Sequence, residues 1–251
     1  MKDKLKSFYN LVYKNVEDRH YSKNLFGRGV PLQVAEVLSE LSLKNKTVLE
    51  VGCGTGFFAF LAKKAGAKKV VGVDYSNEAI RLAKKNHSLS GLEFYCRDFQ
   101  KIRGKFDVIV SLGVIEHIDS PIKALRQLKN LLAKNGHLII VCPNWSNPRG
   151  YVLLTLHYLF KSKITLADKH YLTPVEFQNW AEQLKMRLTF RTFDHDWAFG
   201  KKMIKDFQRR LPRVLPGNRN VKKLIKWLTN HTQKTEKSST YNGAIALYHF
   251  R

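Results

Sequence analysis

Glycine-rich backbone and three acidic side chains are the features of this sequence whose types and spacing could do chemistry. The stretch VLEVGCGTGFF places Glu50 before Gly52, Gly54 and Gly56, between a strand-like run and a helix-like run. Glycine allows tight turns and a close approach of the backbone to a ligand. A carboxylate here would repel the phosphates of a dinucleotide, so Glu50 instead indicates a ligand with a positively charged group.

Two further acids follow the next strand-like runs along the chain. Asp74 ends KVVGVD, where a carboxylate can accept hydrogen bonds from both hydroxyls of a ribose. Asp98 follows LEFYC, where it can accept a hydrogen bond from an adenine amino group. Because ligands of open α/β sheets bind outside the carboxyl ends of the strands, the acids are expected to lie together. They predict a pocket for an adenosine that carries a positive group and no phosphate.

Strand-like and helix-like runs alternate between residues 47 and 141, and this alternation must position the acids. The strand-like runs are short and rich in β-branched residues: TVLEV, KVVGVD, LEFYC, FDVIVS and HLIIVC. The helix-like runs are FFAFLAKKAG, NEAIRLAKKNH and SPIKALRQLKNLLAKNG. The last is expected to start at Ser120 and Pro121 and to stop at Asn135 and Gly136. Such alternation predicts a doubly wound α/β fold with a parallel sheet.

The remaining runs extend this unit on both sides. PLQVAEVLSELSL and TPVEFQNWAEQL predict helices, the second capped by Thr173, and LTFRTF and AIALYHF predict strands. Two segments, about 146–170 and 197–240, are longer than ordinary connections. Such segments commonly form lids or binding elements, and both should flank the mouth of the pocket.

The order and spacing of these motifs over residues 45–145 resemble the class I S-adenosylmethionine-dependent methyltransferases. The resemblance implies a Rossmann-like seven-stranded sheet, mostly parallel with an antiparallel last strand, and helices on both faces. It implies S-adenosyl-L-methionine as cofactor and S-adenosyl-L-homocysteine as product. By position in the family motifs, the expected cofactor-binding residues are Glu50, Gly52, Cys53, Gly54, Gly56, Asp74, Tyr75, Asp98, Phe99, Ser111 and Gly113.

A narrower resemblance covers GVIEHIDSP and the later segment PNWSNPRGYVLLTLHYLF…DKHY, which are similar to ubiquinone-biosynthesis-type O-methyltransferases. It implies catalytic roles for His117 and His170, and lipid contact by the segment after the fifth strand. His117 could either take a proton from a substrate hydroxyl or hold the loop beside the cofactor. That family has a metal-associated acid three residues before the glutamate of the loop. Gly113 stands there, so no metal site is predicted.

The net charge of +24 indicates an anionic partner or a solubilising surface, and the excess is concentrated after residue 146. The N-terminus lacks the pattern of a secretory signal, so a cytoplasmic protein is expected, with peripheral contact at the inner membrane surface as a possible extension. We expect one methyltransferase domain over residues 1–251, with a core at 45–145 and lid-like insertions at 146–170 and 197–240.

Motifs for methylating nucleobase amino groups, RNA cytosine C5, arginine and metal-bound catechols are absent, which favours a hydroxyl acceptor. The expected reaction is therefore O-methylation of a small hydrophobic or anionic substrate, with contact to an anionic membrane surface. Two alternatives remain open. One is an RNA methyltransferase that uses the basic C-terminal surface to bind nucleic acid. The other is a non-catalytic binding protein that retains the fold. Oligomeric state is not indicated by the sequence.

Overall fold

A seven-stranded sheet forms the centre of the computed structural model, which describes residues 2–14, 30–165, 167–232 and 241–251. The strand order is β3-β2-β1-β4-β5-β7-β6. Strands β1 to β5 pair in parallel, whereas β7 runs antiparallel to both β5 and β6. The predicted mostly parallel sheet with an antiparallel last strand is therefore confirmed. The strands are β1 Thr47–Val51, β2 Lys69–Asp74, β3 Leu92–Cys96, β4 Phe106–Leu112, β5 Leu132–Pro143, β6 Leu188–Phe193 and β7 Ile245–Phe250.

Helices cover both faces of the sheet, as predicted. Because neighbouring strand residues point to opposite faces, Val48 and Leu49 belong to two different apolar clusters. The described helices are α1 Lys2–Lys14, α2 Leu32–Glu40, α3 Phe57–Lys64, α4 Asn77–Asn86, α5 Pro121–Asn130, α6 Pro148–Phe160, α7 Pro174–Leu184, α8 His195–Phe199, α9 Lys201–Val214 and α10 Asn220–Thr232. Short 3₁₀ turns occur at Phe99–Lys101 and Ile115–His117. Helices α2, α3 and α4 pack on the face of Val48, and α5 and α7 pack on the face of Leu49.

The helix expected to run to Asn135 and Gly136 ends earlier, at Asn130. Leu132 already pairs with Phe106 as the first residue of β5, and the register then shifts before the regular pairing resumes. Asn135, at φ 59°, lies in this irregular part of the strand. The Asn-Gly pair therefore makes a bend in β5. The apolar spacing did not distinguish a longer helix from an early start of β5, because the leucines here would be buried in the helix and in the strand alike.

The two segments predicted as insertions pack against each other beyond the carboxyl edge of the sheet. Helix α6 follows β5, helices α8 to α10 follow β6, and they share an apolar cluster that includes Trp145, Leu153 and Phe207. Residues 233–240 of the second segment lie outside the described residues. In the part of the chain that the structure describes, no helix has the length and apolar character to cross a membrane.

An ion-pair network joins these two segments. The Asp206 side chain on α9 is fully buried and lies 2.8 Å from Arg149 on α6. Arg210 and Arg209, on the same helix as Asp206, also pair with it, at 2.8 and 2.9 Å. Arg210 and Arg149 hold the pKa of the Asp206 carboxyl below its ordinary value, although burial opposes them. The network therefore fixes α6 against α9 at the carboxyl edge of the sheet.

Candidate functional site

A cavity of about 640 Å³ opens at the carboxyl edge of the sheet, where β1, β2 and β4 end. Most of the residues expected to bind the cofactor line it: Glu50, Gly52, Cys53, Gly54, Asp74, Tyr75, Asp98, Phe99 and Gly113. Parallel pairing places Glu50 beside Gly72 in β2 and Val110 in β4, which brings the strand ends to one edge. Two of the expected residues, Gly56 and Ser111, do not line the cavity.

Asp74 ties the glycine loop to the end of β2. Its Oδ2 accepts a hydrogen bond from the Gly54 N–H at 3.0 Å, and its Oδ1 accepts one from the Ser76 N–H at 2.8 Å. Burial raises the pKa of the Asp74 carboxyl, and these backbone hydrogen bonds partly oppose that rise. The carboxylate is thus held in a fixed orientation by the backbone.

Glu50 is a buried carboxylate beside the open cavity, with 3% of its surface exposed. Its Oε2 accepts a hydrogen bond from the Ala59 N–H in the first turn of α3, at 3.0 Å. Burial raises the pKa of Glu50 well above its ordinary value, and the nearby Asp74 adds to the rise. A positively charged ligand in the cavity would favour the ionised form of this carboxyl.

The three loop glycines have different reasons to be glycine. All have positive φ, and a Cβ on Gly52 would lie 2.3 Å from a methyl group of Val114. A Cβ on Gly56 would lie 2.5 Å from the Phe94 ring in β3. Gly56 therefore allows α3 to pack closely on the sheet, whereas Gly52 and Gly54 form the cavity wall. Ser111, also expected in the site, is buried within β4.

His117 lines the cavity just beyond the end of β4, and its ring lies between two other side chains. Its Nδ1 is 3.4 Å from Asp168 Oδ1, and its Nε2 is 3.2 Å from the Tyr9 hydroxyl. Burial lowers the pKa of His117, while the Asp168 carboxylate acts in the opposite direction. The lowered pKa favours the neutral imidazole, which can accept a proton.

The neighbouring Glu116 is almost completely buried, and within the described part of the chain its Oε2 has no hydrogen-bond partner. Burial, with a contribution from Asp168, raises the pKa of Glu116 to about 8. Glu116, His117 and Asp168 each offer one ligand atom, and these atoms lie within 4.8 Å of one another. The same three groups could hold a cation, so the absence of a metal site stays a prediction.

His170, expected to be catalytic, does not line the cavity. Its Nε2 is 2.8 Å from the Ile118 carbonyl oxygen, and its backbone N–H donates to the Glu116 carbonyl oxygen at 3.2 Å. The Lys169 N–H also donates to that carbonyl, at 2.9 Å. This segment therefore holds the loop that carries His117, and it brings Asp168 to the imidazole.

Sequence reasoning missed Asp168 and Tyr9. Asp168 lies only two residues before His170, which the family resemblance singled out, but its distance of 51 positions from His117 left no local signal. Tyr9 lies on α1, in a segment where no motif was recognised. The structure brings both to His117 through contacts between distant segments.

Comparison with known proteins gives three kinds of match. Residues 42–196 match a family model described as a methyltransferase domain. The ubiquinone biosynthesis O-methyltransferase of Coxiella burnetii (strain RSA 331 / Henzerling II) is 30% identical over 168 residues, which cover 63% of this chain and 70% of that enzyme. The tRNA U34 carboxymethyltransferase of Shewanella sp. (strain ANA-3) is 39% identical over 105 residues, which cover 39% of this chain and 32% of that enzyme.

Among solved structures, the magnesium protoporphyrin IX methyltransferase from Synechocystis PCC 6803, with bound SAH, superposes with a TM-score of 0.58. The match covers 75% of this chain and 91% of that chain at 18% identity. At this level of identity the likeness concerns the fold.

Proposed function

This chain belongs to the class I S-adenosylmethionine-dependent methyltransferases, and we propose that it transfers the methyl group to a hydroxyl oxygen of a small molecule. The observation that carries the proposal is His117, which faces the cavity with Asp168 behind its Nδ1 at 3.4 Å. The cofactor supplies the methyl group from its sulfonium, and the neutral thioether that remains is a good leaving group. The protein must align the acceptor, exclude water and take up a proton.

The cofactor is proposed to lie along the strand ends. Asp74 would accept hydrogen bonds from the ribose hydroxyls, because its carboxylate is buried and already oriented by Gly54 and Ser76. Asp98, on the next strand end, would accept from the adenine amino group, with Phe99 beside the ring. Glu50 would face the positively charged methionine end, since its buried carboxyl is stabilised as an anion by such a charge.

His117 is proposed to act as the general base. We assign the proton of the neutral ring to Nδ1, the nitrogen beside Asp168, which leaves the lone pair on Nε2. The Tyr9 hydroxyl lies 3.2 Å from Nε2, so the hydroxyl of the acceptor must take its place before the reaction. As the acceptor oxygen takes the methyl group, its proton would pass to Nε2, and the Asp168 carboxylate would stabilise the imidazolium. The Coxiella burnetii relative, whose name describes an O-methyltransferase, supports an oxygen acceptor for this chain.

The proposal can be tested by mass spectrometry of products from a panel of hydroxyl-, amino- and thiol-bearing small molecules incubated with the full chain and cofactor. On a hydroxylated acceptor that turns over, His117→Ala and Asp168→Asn should lower turnover, His117→Ala by about 10²-fold or more. Binding of adenosylhomocysteine should stay within about twofold of wild type. His87→Gln is a matched control, because His87 lies outside the cavity. Turnover that is independent of His117 would remove the general-base role.

An RNA acceptor is a second candidate, favoured by the exposed basic face of α9 and α10 and by the Shewanella relative. Both helices bury apolar residues, and nine exposed cations lie along them and the turn between them: Lys201, Lys202, Lys205, Arg209, Arg213, Arg219, Lys222, Lys223 and Lys226. An RNA-binding face of this kind should lose affinity steeply with added salt. Filter binding of tRNA at 50 and 200 mM salt tests this candidate. The affinity should fall about a thousandfold between the two salt concentrations. Retention that does not depend on salt would contradict this candidate.

Contact with an anionic membrane is the remaining proposal about partners. The end of α6 exposes Tyr158, Leu159 and Phe160, by 64%, 71% and 58%. Aromatic and basic side chains together suit the interface of an anionic bilayer. Flotation with phosphatidylglycerol vesicles should recover the full chain, and Leu159→Ser with Phe160→Ser should reduce recovery. Equal flotation with neutral vesicles would argue against an electrostatic contribution.

A further inference from the structure

Helix α1 contributes to the wall of the cavity, although it lies far in sequence from the motifs of the site. Tyr9 and Tyr13 both line the cavity, and only 8% of Tyr13 is exposed. The Tyr13 hydroxyl lies 2.8 Å from the position that a Cβ on Gly54 would take. The helix therefore touches the glycine loop directly, and glycine at position 54 makes room for it.

The same helix contacts the end of β2, where Asp74, the proposed ribose-binding acid, lies. The Ser76 hydroxyl donates a hydrogen bond to the Asn10 side-chain oxygen at 2.6 Å, and Ser76 is completely buried. The Tyr9 ring meets the Tyr75 ring edge to face, with centroids 6.2 Å apart. Helix α1 thus spans the loop after β1 and the loop after β2.

Helix α1 also contacts His117, beside which the methyl acceptor is proposed to bind. The Tyr9 hydroxyl is 3.2 Å from Nε2, and the two rings are 6.1 Å apart. With the proton of the neutral ring assigned to Nδ1, beside Asp168, the Tyr9 O–H would donate to Nε2 until the hydroxyl of the acceptor takes its place. The hydroxyl restricts rotation of the imidazole from the side opposite Asp168.

The apolar anchor of α1 is small. Tyr13 forms a cluster with Ala79 and Leu82 of α4, to which Tyr9 and Val12 add partly buried surface. A helix of 13 residues is marginal by itself in water, so its position depends on these contacts and on those around the cavity. Elements with few buried apolar contacts open at low free-energy cost.

We propose that α1 is part of the cofactor site: Tyr13 and Asn10 close it over the glycine loop and the end of β2, and Tyr9 positions His117. A ligand enclosed beneath α1 adds contacts to the helix, and the closed helix slows release of that ligand. The closing role rests on the proposed placement of the cofactor in this cavity. The positioning role of Tyr9 rests on the proposed function of His117.

The closing role is tested by the dissociation rate of adenosylhomocysteine from the full chain, measured by stopped-flow displacement. Asn10→Ala and Tyr13→Ala should each speed release about fivefold or more, since each removes a contact of the closed helix. Leu11→Ala is the matched control, because Leu11 lies on the exposed face of α1 with 59% exposure. Hydrogen exchange at residues 9–14 should slow on ligand binding. Unchanged release in both variants and unchanged exchange would overturn the closing role.

The positioning role is tested with Tyr9→Phe, which removes the hydroxyl and keeps the ring. The ¹⁵N resonances of the His117 ring, assigned by their loss in His117→Gln, should shift in Tyr9→Phe, while ligand release stays close to wild type. A structural role of the ring alone would leave these resonances in place, and that result would overturn the positioning role. If wild type binds no adenosylhomocysteine at all, the proposed cofactor placement fails, independently of α1.

Discussion

Replacing Asp74 with asparagine is the sharpest test of the cofactor site. The Asp74 carboxylate accepts one backbone N–H on each oxygen, from Gly54 at 3.0 Å and Ser76 at 2.8 Å. Asparagine keeps one acceptor, but its amide NH₂ must then face one of these N–H donors or turn away. The proposed hydrogen bonds to the ribose hydroxyls also lose their charged acceptor.

The expected magnitude follows from these contacts. A hydrogen bond to a charged group contributes about 1.5–3 kcal/mol net. If one such contact to the ribose is lost, the dissociation constant of adenosylhomocysteine should rise about 10- to 150-fold. The second ribose contact and the mismatched amide would increase this loss.

Isothermal titration calorimetry with adenosylhomocysteine measures this change directly. Asp98→Asn is the comparison variant. Asp98 follows β3 and is only partly buried, whereas Asp74 is buried, so water screens its interaction with the ligand more and its loss should weaken binding less. Thermal unfolding without ligand shows whether Asp74→Asn is folded. If the folded variant binds within about threefold of wild type, Asp74 does not hold the ribose and the placement of the cofactor is wrong.

Three further predictions concern stability and metal ions. Asp206→Ala leaves Arg149 without its buried partner and should lower the free energy of unfolding by about 3–5 kcal/mol, measured by urea denaturation; an effect below about 1 kcal/mol would show that the network is dispensable. Burial lowers the pKa values of His137 and His249, whose ring nitrogens Nδ1 and Nε2 lie 2.8 Å apart. The folded state therefore keeps its full stability above about pH 6.5, the pKa of histidine in the unfolded chain. It loses stability as the pH falls through the lower pKa values of these two histidines in the folded protein. Melting temperatures at pH 7.5 and 5.5 should differ less in His137→Gln than in wild type, and an equal difference would exclude this pair as a cause. Treatment with EDTA should leave turnover unchanged, in keeping with the absence of a predicted metal; activity that returns only with a divalent cation would contradict it.

Much of the fold was predictable because its signals are local. The runs KVVGVD, LEFYC and LTFRTF coincide with β2, β3 and β6, since short β-branched runs bounded by turn residues specify strands. Thr173 caps α7 with a capping box that includes Glu176, as the Thr-Pro start indicated. The end of α5 was misplaced, because the apolar spacing of SPIKALRQLKNLLAKNG does not reveal that Leu132 pairs with Phe106.

The site divides in the same way between the sequence and the tertiary structure. Glu50, Asp74 and Asp98 could be placed together from sequence alone, because each lies at or just beyond the carboxyl end of its own strand, and parallel strands end at one edge. The tertiary structure alone decided that Asp168 and Tyr9 flank His117, and that Gly56 serves packing. Contacts between segments far apart in the chain depend on how the helices pack, and no local pattern of residue types records that packing.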